Sequence, residues 1–197
     1  GVVLFIFLLL AALTAFSVSQ AGKVYPGVSV AGVNLSGLTP DEAAVKLAGS
    51  LTYPQTGRIA FQGEQVWVAK PADLGLYLDP QMNAWAAYRL GRQGNIFLRP
   101  FALFKAWYLG VDLPPLMVYD QRVTSQYLSA IAAQVNRPTI EASLAVNGSE
   151  VTATPGQVGR ELDIQATLLP LEARLRTLSD GALPLVIHET PPAILDA

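Results

Sequence analysis

The chain has 197 residues, 51% of them hydrophobic and 14% charged, with a formal net charge of −2 and a pI near 5.3. This length can bury one core or two small ones, while the charge balance offers no basic footprint for nucleic acid and no general attraction to anionic lipid or anionic polymer. Cysteine is absent and His188 is the only histidine, which removes disulfide staples, thiol nucleophiles, thiolate metal sites and two-histidine metal motifs.

From Val2 to Val18 only Thr14 and Ser17 are polar, and no charge precedes Lys23. A membrane span needs about 20 mainly apolar residues. The run reaches that length if Ser19 to Ala21 lie in the interface, so residues 1–21 are expected to be a transmembrane anchor contacting the bilayer through residues 2–21. A cleavable signal segment is the competing reading, with Ser19-Gln20-Ala21 as its small-residue site. The run exceeds the 7–15 residues usual for a signal core, which favours the anchor. Because the chain opens on Gly1, an upstream segment is expected.

Tyr25 to Gly37 reads as a strand and turn, with Val28, Val30 and Val33 at its apolar positions. Thr39-Pro40-Asp41-Glu42 then opens a helix: Thr39 caps, Pro40 takes the first turn and Glu42 completes a capping box. A hairpin over about 58–70 follows. Asp79-Pro80 starts a second helix, with Met82, Trp85, Ala86 and Leu90 expected inward, and Gly91 to Gly94 breaks it. Residues 96–109 carry Phe97, Phe101, Phe104, Trp107 and Tyr108. This stretch reads as a helix packing its aromatics on the domain, or as a groove wall or membrane-surface helix.

The second half opens with a strand over Leu116–Tyr119 and a helix over about 121–135, with Val123, Tyr127, Ile131 and Val135 on one side. A hairpin over about 141–154 is marked by Asn147-Gly148 between alternating apolar runs. Pro155-Gly156 ends its second strand, Gly159 allows another tight bend, and Asp163 can cap a helix. Leu168, Leu171, Leu175 and Leu178 give that helix a stripe, although Pro170 should kink it or delay its start. Leu183, Leu185 and Ile187 alternate as a last strand, and Pro191-Pro192 over 191–197 reads as the start of a linker to a further domain.

The stretch Ala60 to Asp79 repeats as Ala145 to Asp163. Gly63 pairs with Gly148 at an offset of 85; after a one-residue slip, Pro71, Gly75 and Asp79 pair with Pro155, Gly159 and Asp163 at an offset of 84. The expected fold class is therefore α+β, with two tandem strand-helix-hairpin-helix repeats after the transmembrane helix. The first would span 22–110, including the aromatic helical extension, and the second 111–190; the two either share one sheet or form two similar lobes, and a hairpin and two helices in each favour two lobes.

The repeat, the opening Tyr25 to Ala44 (Y-P-G-V-S-V-A-G-V-N-L-S-G-L-T-P-D-E-A-A) and the phrase Gly91-Arg92-Gln93-Gly94-Asn95 together resemble one family. It is the peptidoglycan-binding-like domain found beside VanW-like and L,D-transpeptidase domains in bacterial envelope proteins. The resemblance covers about residues 24–192. It implies a soluble part outside the cytoplasm and a cell membrane location, with peptidoglycan or another cell-wall polymer as partner. The transpeptidases that carry this domain place a cysteine nucleophile in a separate domain, and nothing here supplies that residue.

No catalytic constellation emerges from the sequence. A Ser-His-Asp triad would have to use His188, on an expected strand beside Glu189. The nearest approach to a nucleophile elbow, Gly27-Val28-Ser29-Val30-Ala31, lacks its final glycine. Asp79 and Asp163 are explained as helix caps before paired catalytic carboxylates need be invoked. No metal or cofactor is expected. The candidate binding residues are Arg92 and Asn95, in the phrase shared with the family, and Arg160, after the repeat glycine. An arginine fork suits a stem-peptide carboxylate, and Trp67, Tyr77 and Trp85 could stack on sugar rings. For each, a structural role is the alternative: the arginines satisfy carbonyls and the aromatics fill the core. The reading is thus a non-catalytic wall-binding module, with a spacer or protein-contact domain as the alternative.

Overall fold

The computed structural model describes residues 18–92, 107–147 and 150–194, with residues 1, 4, 7, 8 and 11. In chain order the elements are strands β1 (Val28–Val30) and β2 (Val33–Asn34), helix α1 (Pro40–Ser50), the single turn α2 (Tyr53–Thr56), strands β3 (Ile59–Gln62) and β4 (Val66–Ala69), a 3-10 turn (Pro71–Leu74), strand β5 (Leu76–Leu78) and helix α3 (Pro80–Arg89). There follow β6 (Val111–Leu113), β7 (Met117–Tyr119), α4 (Gln121–Val135), β8 (Ser143–Asn147), β9 (Glu150–Thr154), β10 (Gly159–Leu162), α5 (Ile164–Arg176), β11 (Gly181–Pro184) and β12 (Ile187–Thr190). Mixed helix and strand content bears out the α+β class.

The expected anchor over 1–21 lies mostly outside the described residues. Among the described residues no helix is long and apolar enough to cross a membrane. The aromatic stretch 96–109 also lies outside them, except Trp107, Tyr108 and Leu109, which are helical and exposed.

Two compact units emerge, and both are discontinuous in sequence: one holds residues 1–52 and 78–118, the other 53–77 and 119–197. The chain passes between them three times, after Thr52, within β5 and within β7. This division differs from the two lobes expected over 22–110 and 111–190, because strand pairing draws the first hairpin to the end of the chain.

In the first unit β1 lies between β2, antiparallel, and β6, parallel. Ala31 (φ 47°) and Gly32 (φ 77°) join β1 to β2, the two positive φ values that a tight right-twisted hairpin requires. Asp112 on β6 anchors this turn, accepting from Ser29 Oγ (2.6 Å) and Gly32 N (2.9 Å). Helix α1 begins as its sequence demands: Thr39 Oγ1 accepts from Glu42 N (3.3 Å) and Thr39 N donates to the Glu42 carboxylate (2.8 Å). Val24, Val28, Val30, Leu35, Leu47, Ala43 and Ala44 of α1, and Ala84 and Ala87 of α3 form the core.

Asn83, almost fully buried on α3, donates to the carbonyls of Asp79 (2.8 Å) and Leu116 (2.8 Å) and accepts from Leu116 N (2.7 Å). The inward face of α3 is thus Asn83, Ala84 and Ala87. Met82 and Trp85, expected inward, are 41% and 46% exposed. Small residues face in because α3 packs closely on α1, and the larger side chains rotate outward.

In the second unit β3 pairs antiparallel with β4 and parallel with β11, in the order β11-β3-β4. Arg58 N donates to Asp180 Oδ1 (2.8 Å) and Gly181 N to Arg58 O (3.2 Å), which starts the parallel register. Buried Ile59, Phe61, Leu74, Leu128, Leu168, Leu171 and Leu175 supply the apolar interior, each worth about 1.5–3 kcal/mol of transfer free energy. The inward residues of α4 are Thr124, Leu128, Ile131 and Ala132. The expected Val123, Tyr127 and Val135 are exposed or half-buried, because polar Thr124 goes inside to donate to Leu74 O (2.6 Å) and to accept from Tyr119 Oη (2.8 Å).

Helix α5 runs from Ile164 with Pro170 inside it, so the proline does not delay its start. Leu178 is outside the stripe, adopting φ 48° after the Thr177 cap. The last strand is two, β11 and β12, broken at Leu185 and Val186.

The recurring phrase is built differently in its two places. Asp79 and Asp163 do both cap helices, accepting from Met82 N (2.9 Å) and Ala166 N (2.8 Å). Pro71 opens the 3-10 turn, whereas Pro155 follows the end of β9. Gly75 takes φ 82°, where a Cβ would strike the carbonyl of Asp120. Gly159 makes no such bend: it begins β10 with ordinary φ, and a Cβ there would meet Thr139. Gly63 begins the β3–β4 loop beneath the Trp67 ring, while its partner Gly148 lies outside the described residues. The β8–β9 hairpin pairs as far as Asn147 and Glu150 and forms a separate two-stranded sheet.

Candidate functional site

Arg92 follows the left-handed Gly91 that turns the chain after α3. Its guanidinium lies over the rings of Tyr25 and Tyr88, 3.9 and 4.0 Å from their centroids. One terminal nitrogen donates to Tyr88 O (2.6 Å), the other to Gln20 O (2.9 Å) and Lys23 O (2.6 Å). Guanidinium is planar and rich in donors, so it can staple carbonyls while stacking on aromatic faces. The side chain therefore clamps the segment after the apolar run onto the first unit. Trp85 packs edge-on against Tyr88 with centroids 5.4 Å apart. Asn95 lies outside the described residues.

Arg160, on β10 of the second unit, sits opposite Glu189 on β12. Its Nε is 2.9 Å from Glu189 Oε1, an ion pair without hydrogen-bond alignment, and Nη1 donates to the Glu64 carboxylate in the β3–β4 loop. The Arg160 side chain is 19% exposed, Glu64 and Glu189 are 64% and 55% exposed, and so solvent screens both pairs. Trp67 lies on the same hairpin as Glu64. Its Nε1 donates to Gln134 Oε1 (3.2 Å), which also accepts from Gln65 Nε2 (3.4 Å). Tyr77, on β5, is 48% exposed. The fold thus brings Trp67, Glu64 and Arg160 into one unit and assigns Arg92 to the other.

A residue that the sequence reading passes over completes the second site. Helix α4 ends at Asn136, whose Oδ1 accepts from Leu162 N (2.8 Å). Arg137 then bridges Arg160: Arg137 N donates to Arg160 O (3.0 Å) and Arg160 N to Arg137 O (2.8 Å). Residues that exchange both bonds across an antiparallel pair project their side chains to the same face, with Cα atoms about 5.5 Å apart. Two arginines therefore share one face. Arg137 is exposed, and its Nε donates to Val158 O (3.0 Å). Asn136, Arg137, Pro138, Arg160 and Glu161 line a groove of about 250 Å³. The only sequence signal is Asn136-Arg137-Pro138, a polar helix stop. Its pairing with Arg160 is non-local and carries no motif.

His188 contacts the Asp163 carboxylate at 3.2 Å. The Ala166 amide, followed by the His188 contact, holds the Asp163 carboxyl below its usual range. This is a capping arrangement on an exposed edge. Among the described residues no group of three or more His, Cys, Asp or Glu is placed to hold a metal ion.

The family model described as "Putative peptidoglycan binding domain" matches residues 67–181, more than half of the chain, and takes in α4, β10 and the Arg137–Arg160 groove. No curated protein and no solved structure matches. The chain is a member of the family of putative peptidoglycan-binding domains.

Proposed function

We propose that this chain is a non-catalytic module that binds peptidoglycan or another cell-wall polymer outside the cytoplasm. The family match over 67–181 carries this reading. The apolar run from Val2 to Val18 acts as a single-pass membrane anchor, and VanW-like or transpeptidase domains are the expected neighbours. The test is cosedimentation of the full chain, held in mild detergent, with purified sacculi at low and high salt. Saturable binding that persists as salt rises is expected, since hydrogen bonding and stacking resist screening while charge-driven adhesion does not. Absence of binding, or its loss with salt, would overturn the proposal.

A spacer role is the second reading. It draws on Arg92, whose two terminal nitrogens both bond backbone carbonyls of its own unit. The same sedimentation assay separates the two, because a spacer leaves the sacculi unbound.

A further inference from the structure

We infer that Arg137 and Arg160 form a receiving site for the terminal carboxylate of a short peptide. The inference rests on the wall-binding reading and names the part of the polymer that the second unit grips.

The geometry supplies three reasons. The reciprocal backbone bonds between Arg137 and Arg160 place both guanidiniums on one face. Like charges directly opposite one another destabilise a strand pair, a cost that Glu64 and Glu189 offset on the Arg160 side only. Arg160 is already matched by Glu64 and Glu189. Arg137 forms no ion pair among the described residues, and its two terminal nitrogens are not engaged by them; only its Nε is, on Val158 O.

Charge and size then select the ligand. Arg160 is committed to Glu64 and Glu189, so the group left open to a ligand is the guanidinium of Arg137, whose fork suits one carboxylate. A polyanionic phosphate polymer would also meet Glu64, Glu161 and Glu189 around the groove. At about 250 Å³ the groove is smaller than the roughly 300–1,000 Å³ of sites that enclose whole small molecules. It therefore accommodates a chain end and leaves the rest of the ligand outside.

The experiment is a titration of the full chain in mild detergent with a pentapeptide ending in D-Ala-D-Ala and with its C-terminal amide. The free acid should bind at least tenfold tighter than the amide. Arg137→Ala should abolish that preference, and Arg137→Lys should restore only part of it, because an ammonium lacks the fork. Inorganic phosphate at equal concentration should not compete. Equal binding of acid and amide, an unchanged preference in both variants, or effective competition by phosphate would overturn the inference. Sacculus binding by a chain indifferent to the peptide would remove this site and leave the wall-binding reading intact; loss of both would remove both. Thermal unfolding of each variant checks that folding is preserved.

Discussion

Arg92 and Arg160 arise from the same local signal, an arginine directly after a glycine, yet the two units use them in opposite ways. In the first unit the neighbours of Arg92 are backbone carbonyls and tyrosine rings, so the guanidinium acts as a staple. In the second, Arg160 is surrounded by charge, with Glu64 and Glu189 on one side and Arg137 on the other. An arginine becomes a recognition group when its surroundings leave charge and donors uncommitted, and only the fold decides that. By this criterion Arg137 is the better candidate, while Arg92 serves the fold of its own unit.

The sharpest way to separate the units is through their cores. Phe61→Ala in the second unit is expected to cost about 3–5 kcal/mol and Leu47→Ala in the first about 2–5 kcal/mol, since both side chains are fully buried. Urea denaturation measures each loss, and a change below about 1 kcal/mol would mean that the site collapses without a cavity.

Buried polar links should come next. Asn83→Ala leaves both backbone groups of Leu116 without their partner; Leu116 is exposed and both bonds are half-buried, so the loss should be about 0.5–1.5 kcal/mol for each. Thr124→Val removes the donor to Leu74 O in the second unit, with a loss of about 1–2 kcal/mol. Both are read from urea midpoints.

A smaller and more selective effect is expected at the arginines. Arg92→Ala should lower stability by about 2 kcal/mol, from hydrogen bonds to a charged group, with sacculus binding unchanged. Arg92→Lys should recover part of the stability, as one ammonium cannot span three carbonyls and two rings. A binding defect in Arg92→Ala at preserved folding would break the contrast between the two arginines.

The smallest effect concerns Asp163. Its folded carboxyl lies below the ordinary value, first through the Ala166 amide and then through His188. The contribution is thus complete above the unfolded carboxylate value of about 4 and disappears as pH falls through the folded value. Asp163→Asn retains a good cap and removes the titrating group, so its urea midpoint should fall less steeply than the wild type's as pH drops below about 4. Parallel curves would show that Asp163 does not couple folding to protons.

Elements governed by near neighbours were legible along the chain. The Thr39 capping box, the Asp79 and Asp163 caps, the full span of α4 and both hairpins depend on residues within a few positions of one another. Inward faces were less legible. Met82 and Trp85 are the more apolar residues of α3, but the close approach of α1 selects Asn83, Ala84 and Ala87 instead. Apolarity alone could not anticipate that Asn83 has three backbone partners waiting inside.

Local chemistry was therefore enough to specify the α+β class and the helix caps, because capping acts over three or four residues. The interleaved units, the parallel pairing of β3 with β11, and the meeting of Arg137 with Arg160 were decided by tertiary structure alone. Those contacts join residues from 23 to more than 100 positions apart. Burial of the shared apolar faces, rather than any local preference, selects among the strand pairings that such residues could make.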